Sequence, residues 1–593
     1  MATSNLTATK PTPASILLSN AQIIKIGKNG HPTIYKLKIQ EQMLDENFSL
    51  RKCHVGQAAL VNGCPPPEKI IMMVGATGAG KSTMINAFVN YFYGTQWKDN
   101  FRLKLITEED EGVNGVAQSQ TKSQTKFITA YTVQYQPGCP VPYTLTIIDT
   151  PGFGDVQGIK RDGEITQQIR EFFMMKGPHG IDHLDAIGFV VQSSLSRLTP
   201  TQKYIFDSIL SIFGNDIASN MFSLITFADG QPPPVLQAIK EAGVPSITHF
   251  KFNNSALYAM NQSNDNDDDD EEEGNIDGMF WKIGVGSLKK FFTEFLKVKP
   301  VSLLLTKEVL TERQHLEAFV QGIQPQIKLG LHKLEVLRQE TKILQDHVND
   351  IEKNKSFTYT VEVPKQRQVN LPKGQFVTNC LRCNHTCHYP CTITKDTEKY
   401  LCAAMNNHTI SATCTVCPDK CPWNSHYNNP YQFELYQEKE TRTVEDMKKR
   451  YQQAAKDGKT KLNIFEALKL DFQETQREVC RMIGRARRAI MRLEQIALKP
   501  NPLSTIQYIE LIIETEKNEA KPGWQERISH LNEAKEKAKI IEKVKTTPDD
   551  DWFAHTDDVV DLDDKFRDLA DKIKDSNSEP GTSKTFLSRF IRK

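Results

Sequence analysis

The stretch "KIIMMVGATGAGKSTMINAFVNYF", from Lys69 to Phe92, constrains the fold more than any other part of this 593-residue chain. Its apolar run from Ile70 to Val74 shows no alternation. Such a run predicts a strand covered on both faces, as in parallel sheets layered with helices. Glycines at 75, 78 and 80 follow, and an amphipathic helical pattern opens at Lys81. Strand, glycine loop and helix in that order gather main-chain N–H groups around an anion at a helix N-terminus. Gly75, Ala76, Thr77, Gly78, Ala79, Gly80, Lys81, Ser82 and Thr83 therefore form a candidate phosphate cradle. Lys81 is placed to reach β- and γ-phosphates, and the Ser82 hydroxyl to bind Mg2+.

The layered pattern continues to about Lys299. "YTLTIIDT", "AIGFVVQ", "MFSLITFA" and "ITHFKFNN" are apolar runs of strand length. "FITAYTVQY" joins the first of them through "QPGCPVP" as a hairpin, and "TPTQKYIFDSILSIFG" is a helix between strands. This alternation predicts an α/β fold over residues 67–300, with a mostly parallel sheet and flanking helices. Residues 1–66 read as a partly disordered lead-in with short strands. Residues 262–278 carry the acidic run "NDNDDDDEEEG", expected to be a solvated, disordered loop.

Beyond 300 the pattern changes. A heptad-patterned helix is expected over 301–358, through Leu316, Val320, Ile323, Ile327, Leu334, Leu337, Leu344, Val348 and Ile351, weakened by Pro325, Gly330 and Thr341. A second pattern, Leu468, Phe472, Thr475, Val479, Met482, Ala486, Ala489, Leu493 and Ile496, falls in a helical region over 433–545. Helices packed on each other within one chain, or a coiled coil between chains, both satisfy these patterns. Between them lies a cysteine-rich, β-like module at 359–432. Residues 546–593 read as a disordered tail with a basic amphipathic tip, "TFLSRFIRK".

Further motifs narrow the chemistry of the phosphate cradle. Asp149-Thr-Pro-Gly152 ends an apolar strand, where an acid can hold Mg2+ through water and the Gly152 N–H can sense a γ-phosphate. Thr226 and Asp229, in "TFAD", close a later strand. The Asp229 carboxylate can accept two hydrogen bonds from guanine N1–H and N2–H2, which adenine cannot offer. This order of motifs points to a GTPase rather than a generic ATPase.

These motifs resemble those of septin-like GTPases, and most nearly the immunity-associated (AIG-type) branch of the translation-factor-related class. "DTPGFGD" is similar to the septin form of the switch-two motif. "VAQSQTK" resembles the switch-one segment, which implies Thr121 as the Mg2+-sensing, catalytic threonine, with Thr125 of the repeated "SQTK" as the alternative. "VVQSSLSRLTPTQ" resembles the segment before the third helix of the AIG branch, with Arg197 and Thr199 in matching places. "FNNSALY" resembles the guanine loop, which puts Asn254 and Ser255 near the base. The resemblance covers about Glu68 to Lys299 and implies GTP or GDP with Mg2+. It also implies a homodimer across the nucleotide faces, in which Arg197 is a candidate finger supplied in trans. Pairing with a surface carboxylate is the plainer role for that arginine.

Two departures matter. Phe227 replaces the lysine of the usual N/T-K-x-D base motif, and a phenyl ring could stack where the lysine stem covers the base. Phe153 stands where small GTPases have a water-positioning glutamine, which implies slow hydrolysis.

The second chemical feature is a run of thiols. Eight of the twelve cysteines fall between Cys380 and Cys421, in "CLRCNHTCHYPC", at Cys402 and in "CTVCPDKC". C-x2-C pairs aim two sulfurs at one ion, and thiolates favour tetrahedral Zn2+. Cys380, Cys383, Cys387, Cys391, Cys414, Cys417, Cys421 and His426 are the candidate ligands, for one or two zinc ions of structural character. Cys402, His385, His388 and His408 add to the supply, so the pairing is open. Neither a base-reading helix pattern nor the cross-brace spacing of a RING accompanies them.

A formal net charge of +1 gives no footing for nucleic-acid binding, and none is expected. No apolar run approaches the ~20 residues of a membrane span, and the polar start does not read as an export signal. A cytoplasmic, reducing setting is expected, where clustered thiols mean metal more often than disulfide. The terminal tip offers weak contact with an anionic membrane, and the helices or zinc module offer a surface for a protein partner. Three readings follow. The first is a slow, dimerising GTP switch. The second is a scaffold that binds nucleotide without hydrolysing it. The third is a zinc-module adaptor.

Overall fold

In a computed structural model, the structure describes residues 12–107, 125–261, 276–346, 358–443, 464–500, 506–520 and 524–546, apart from 29, 47, 62, 156, 246–247, 373, 392 and 407–408. Two compact units emerge: Met1–Leu310 with Leu493–Lys535, and Thr311–Arg492 with Glu536–Lys593.

The first unit is built on an eight-stranded sheet. Its strands are β3 (Ile39–Asp45), β4 (Leu50–Val55), β5 (Glu68–Gly75), β7 (Ile128–Val133), β8 (Thr144–Asp149), β10 (Ala186–Gln192), β11 (Met221–Thr226) and β12 (Thr248–Lys251), in the order β12-β11-β10-β5-β8-β7-β4-β3. All pairs are parallel except β7 with β8 and β3 with β4. Every residue of β7, β8 and β11 is buried, which is why these strands read as apolar runs. The chain leaves β5 for β8 on one side and β10 on the other. That reversal opens a crevice at the carboxyl ends of the strands, the place where α/β sheets bind ligands.

The lead-in before residue 67 is part of this sheet, because β4 pairs with β7 over six residues and β3 closes the edge. A small second sheet joins β1 (Gln22–Lys25), β2 (Thr33–Lys36) and β6 (Phe101–Lys104). A two-residue pair links β9 (His183–Leu184) with β13 (Val301–Ser302).

Helices α1 (Pro13–Leu18), α2 (Lys81–Phe92), α3 (Ile159–Met174), α4 (Pro200–Leu210), α5 (Val235–Glu241) and α6 (Ile276–Lys297) complete the layers. Because α6 begins at Ile276, the last three residues of the stretch expected to be disordered are helical. The acidic residues 262–275 lie outside the described residues.

Aromatic packing fixes α6. Phe291 is fully buried, with ring centroids 5.1 Å from Phe88, 5.7 Å from Phe222, 5.4 Å from Phe250 and 5.5 Å from Phe295. Nearby, the Arg102 guanidinium is fully buried and donates to the carbonyls of Leu257, Asp99, Phe101 and Trp97. It also lies 4.5 Å from the Trp281 ring centroid. Burial lowers its pKa to about 10, so it keeps its charge at neutral pH and ties the β6 edge to α6.

The second unit is organised by α7 (Leu304–Asp346) and α8 (Ile464–Ile496). A long antiparallel ribbon of β14 (Thr358–Asn370) and β18 (Tyr431–Thr443) runs in unbroken register from Thr358↔Thr443 to Asn370↔Tyr431. The cysteine-rich residues sit at its tip, around β15 (Thr378–Cys380), β16 (His385–His388) and β17 (His426–Tyr427). One core joins Ala318, Phe319 and Ile323 of α7, Val479, Met482, Ile483 and Ala486 of α8, and the buried thiols. Gly322 permits this approach, since a Cβ there would stand 2.5 Å from Met482 and 2.6 Å from Val416.

The patterned residues Val320 and Ile323, and Val479, Met482, Ala486 and Ala489, are therefore buried within one chain. Val348 and Ile351 lie outside the described residues, as do the side chains of Ile327, Gly330, Leu334, Leu337, Thr341, Leu344, Leu468, Phe472 and Thr475. Two further helices, α9 (Ile506–Glu519) and α10 (Trp524–Thr546), follow α8. No helix among the described residues is long and apolar enough to cross a membrane.

Phe291→Ala removes the centre of the aromatic cluster. It should cost about 3–5 kcal/mol, read as a lowered urea midpoint of the first unit.

Candidate functional site

The crevice at the carboxyl ends of β5, β8 and β11 gathers the predicted nucleotide residues. The loop after β5 turns through positive φ at Gly78 (76°) and Gly80 (91°), a conformation that glycine adopts without strain. Lys81 is buried, and its Nζ donates to the carbonyls of Gly75 and Ala76 at 3.1 Å each. The loop is thus wrapped around its own lysine, with Ser82 and Thr83 on the first turn of α2.

Three straps hold the loop from outside. The Thr226 hydroxyl, at the end of β11, donates to the Ala79 carbonyl at 2.7 Å. Gln192 Nε2, at the end of β10, donates to the Gly78 carbonyl at 2.9 Å. Thr77 N–H donates to the Phe153 carbonyl at 2.8 Å, and Phe153 N–H to the Gly75 carbonyl at 3.2 Å. Sequence reasoning found Thr226 but missed Gln192 and Thr77 in this role, because a side-chain strap leaves no spacing signature.

Asp149 is buried at the end of β8, beside the loop strand. The segment after it passes so close to the loop that a Cβ on Gly152 would stand 2.6 Å from Thr77 Cα. Phe153 is fully buried among the hydrophobic core residues. Next, Gly154 N–H donates to Asp162 Oδ1 at 2.9 Å, which anchors the segment to the first turn of α3.

The base end is assembled from two loops. Ala228 N–H donates to the Phe252 carbonyl, and Phe252 N–H to that of Ile225. Phe227 is 63% exposed with φ 52°, a left-handed conformation uncommon away from glycine. Its ring edge lies 3.7 Å from where a Cβ on Gly80 would sit. Asp229 is exposed, and its Oδ1 accepts from Gln231 N–H at 2.8 Å. Asn253 caps the short turn Asn254–Tyr258 by accepting from Ser255 N–H. Asn254 Nδ2 lies 3.9 Å from Met84 Sδ on α2.

Arg197 is exposed just before α4, whose Thr199–Gln202 capping box fixes the turn. It has no ion pair among the described residues. Thr121 lies outside the described residues, while its alternative, Thr125, is buried.

The second centre is in the cysteine-rich module. None of the twelve cysteines is in a disulfide. Three groups could each hold a metal ion, with ligand atoms within 4.8 Å of one another: Cys380, Cys383, Cys417 and Cys421; Cys387, Cys414, Cys417 and His426; and His388, Cys391 and Cys402. The two C-x2-C pairs thus interleave, and Cys391 joins His388 and Cys402, which spacing had left outside the chosen ligand set. His385 stands beside Cys387, with Nδ1 3.7 Å from the sulfur. His408 lies outside the described residues.

Burial raises the Asp162 pKa to about 7, with the Asp155 carboxylate adding to the shift. A raised carboxyl weakens the fold as pH rises, because the unfolded chain ionises first. The loss begins near the ordinary carboxylate pKa and is complete above about 7. Asp162→Asn keeps an acceptor for Gly154 N–H. The variant should therefore match the parent near pH 4 and exceed it by up to about 4 kcal/mol at pH 8, by denaturant unfolding at both values.

Residues 68–173 match the Septin family model. No curated protein matches the chain. Among solved structures, Toc33 from Arabidopsis thaliana in complex with Mg2+ and GMPPNP is similar at 17% identity, over 40% of this chain and 88% of that one, with a TM-score of 0.25. Roco2 RocCORdC of Methanosarcina barkeri bound to GDP shows 13% identity over 44% of this chain and 57% of that one, with a TM-score of 0.20. The bacterial dynamin GTPase LeoA from ETEC shows 13% identity over 86% and 87%, with a TM-score of 0.19. The Septin match spans β5, the phosphate loop and β8, so the chain is similar to Septin over that segment, and the first unit has the α/β fold of a P-loop domain.

Proposed function

We propose that the chain binds GTP with Mg2+, hydrolyses it slowly and acts as a nucleotide-dependent dimerising switch. The observation that carries this reading is the convergence of Lys81, Asp149, Gly152 and Thr226 on one loop at the carboxyl ends of β5, β8 and β11. Main-chain N–H groups of residues 78–83 cradle the phosphates, and Lys81 turns from its loop carbonyls to the β- and γ-oxygens. Ser82, Asp149 and Thr121 are the residues that would hold Mg2+. When bound, Mg2+ neutralises phosphate charge. Asp229 pairs with guanine, and Asn254 and Ser255 flank it. The Phe227 ring, already beside Gly80, covers the base in place of a lysine stem.

The buried Phe153 ring leaves no group there to orient a water, which supports slow turnover by a lone chain. Arg197, exposed beside the crevice-forming β10, is then the charge offered to a second copy. The same buried Phe153 favours one rival, a scaffold that binds GTP without hydrolysing it.

The state of the switch segment has a route outward within the first unit. Gly158, the N-cap of α3, faces the Arg527 methylenes of α10, which would stand 2.9 Å from a Cβ there. Arg527 is itself locked to Glu516 of α9 at 2.7 Å, and Lys499 pairs with the buried Asp207 of α4 at 3.2 Å. The helices and a zinc-stapled cysteine module pass the state to a partner.

Lys81→Ala should abolish binding of a fluorescent GTP analogue. The parent should grow in solution size with a non-hydrolysable GTP analogue relative to GDP. Turnover per chain should rise with protein concentration, and Arg197→Ala should lower it by on the order of 10³. Concentration-independent rates would count against catalysis in trans. Binding without any turnover at high concentration would favour the scaffold.

A further inference from the structure

We propose that the cysteine-rich module holds three zinc ions, two of them bridged by the Cys417 thiolate and the third on His388, Cys391 and Cys402. This deepens the zinc reading above and rests on it.

The distances fit ions rather than disulfides. Sulfurs on one tetrahedral zinc lie ~3.8 Å apart, given Zn–S bonds of ~2.3 Å, whereas a disulfide needs about 2.05 Å. Cys383 and Cys421 sulfurs are 3.5 Å apart, Cys391 and Cys402 sulfurs 3.9 Å, and His388 Nδ1 is 3.4 Å from Cys402 Sγ.

Cys417 belongs to both four-membered groups. Those groups offer seven residues for the eight positions of two tetrahedral ions, since four plus four less the shared cysteine is seven. On these seven residues both ions close if one sulfur bridges, and a thiolate has the lone pairs to do so. The surrounding main chain suits thiolates. Cys414 Sγ accepts N–H bonds from Val416 and Cys417, and Cys417 Sγ accepts one from Cys421, at 3.3–3.4 Å.

His426 gives independent support. Its Nδ1 lies 3.1 Å from the Pro422 carbonyl and must donate to it, which leaves Nε2 with its lone pair. That Nε2 is buried with no hydrogen-bond partner among the described residues, and it faces the second group. An orphaned imidazole nitrogen aimed at three sulfurs is the arrangement that a metal completes.

The third group is separate and differs in kind. Its three residues are buried, and the Thr378 hydroxyl lies 3.1 and 3.3 Å from the Cys391 and Cys402 sulfurs. Lys399 is fully buried, and its Nζ sits 3.7 Å from Cys391 Sγ. That nitrogen spends its three donors on the Val377 and Ile393 carbonyls and Asn428 Oδ1, at 3.0, 2.7 and 2.7 Å. It is therefore a fixed hydrogen-bond donor beside the sulfurs and not a ligand. One zinc here has three protein ligands and keeps a fourth position for water or a small exchangeable ligand, unlike the two closed sites.

Native mass spectrometry of the full chain, prepared in zinc, should show three ions. His388→Ala should lower the count by one and leave the pair in place. Should that variant fail to fold, the cadmium-113 NMR spectrum of the exchanged parent decides instead. It should show three resonances, two of them split by coupling through the Cys417 sulfur. Two ions per chain, or two resonances, would overturn the third site. Three resonances without splitting would overturn the bridge. Fewer than one ion per chain would sink the zinc reading itself.

Discussion

The ammonium of Lys81, buried and bonded to the carbonyls of Gly75 and Ala76, holds the loop around which the first unit is arranged. A buried cation is costly unless its surroundings are fixed. The fold fixes them from three directions: β10 through Gln192, β11 through Thr226, and the segment after β8 through Phe153. The same bonds hold the loop in one conformation. Preorganisation of this kind is how a site stabilises charge without rearranging when charge arrives.

The second unit faces the opposite difficulty. Its cysteine-rich tip has strands of two to four residues and a core of Ala403, Ala404, Met405, Ala412 and Val416 alongside the thiols. So little apolar surface cannot order a segment of that length, and small modules in this position rely on a metal or on disulfides. No cysteine is in a disulfide, and three groups of buried thiols and histidines could hold a metal ion in its place. The module also depends on α7 and α8, whose Phe319, Ile323, Met482 and Ile483 supply the large apolar side chains that it lacks.

The parts of this architecture legible in the sequence are those whose signal is local. The strands β5, β8, β10 and β11 stand out because burial on both faces makes them apolar runs, and the turn "QPGCPVP" gives away the β7–β8 hairpin. The edge strand β3 is mostly exposed, so its pattern does not betray that the lead-in completes the central sheet. The docking of residues 493–535 on α4 pairs Lys499 with Asp207 across about half of the chain, and no local pattern encodes such a contact. The thiols were visible as ligands, but their partition was not. Neighbours in sequence, Cys387 and His388, turn to different groups because successive residues of β16 point to opposite faces.

The ribbon of β14 and β18 ends with Asn370 opposite Tyr431. To the ribbon, everything from 371 to 430 is one oversized turn. Closing a turn of that length costs about 2–3 kcal/mol more chain entropy than closing a tight one. Sulfurs gathered on an ion would close the same loop from within, since Cys380 and Cys421 lie near its two ends and belong to one group. The zipper of backbone bonds and such a knot of sulfurs would draw on the same entropy, and each would lower the cost of forming the other.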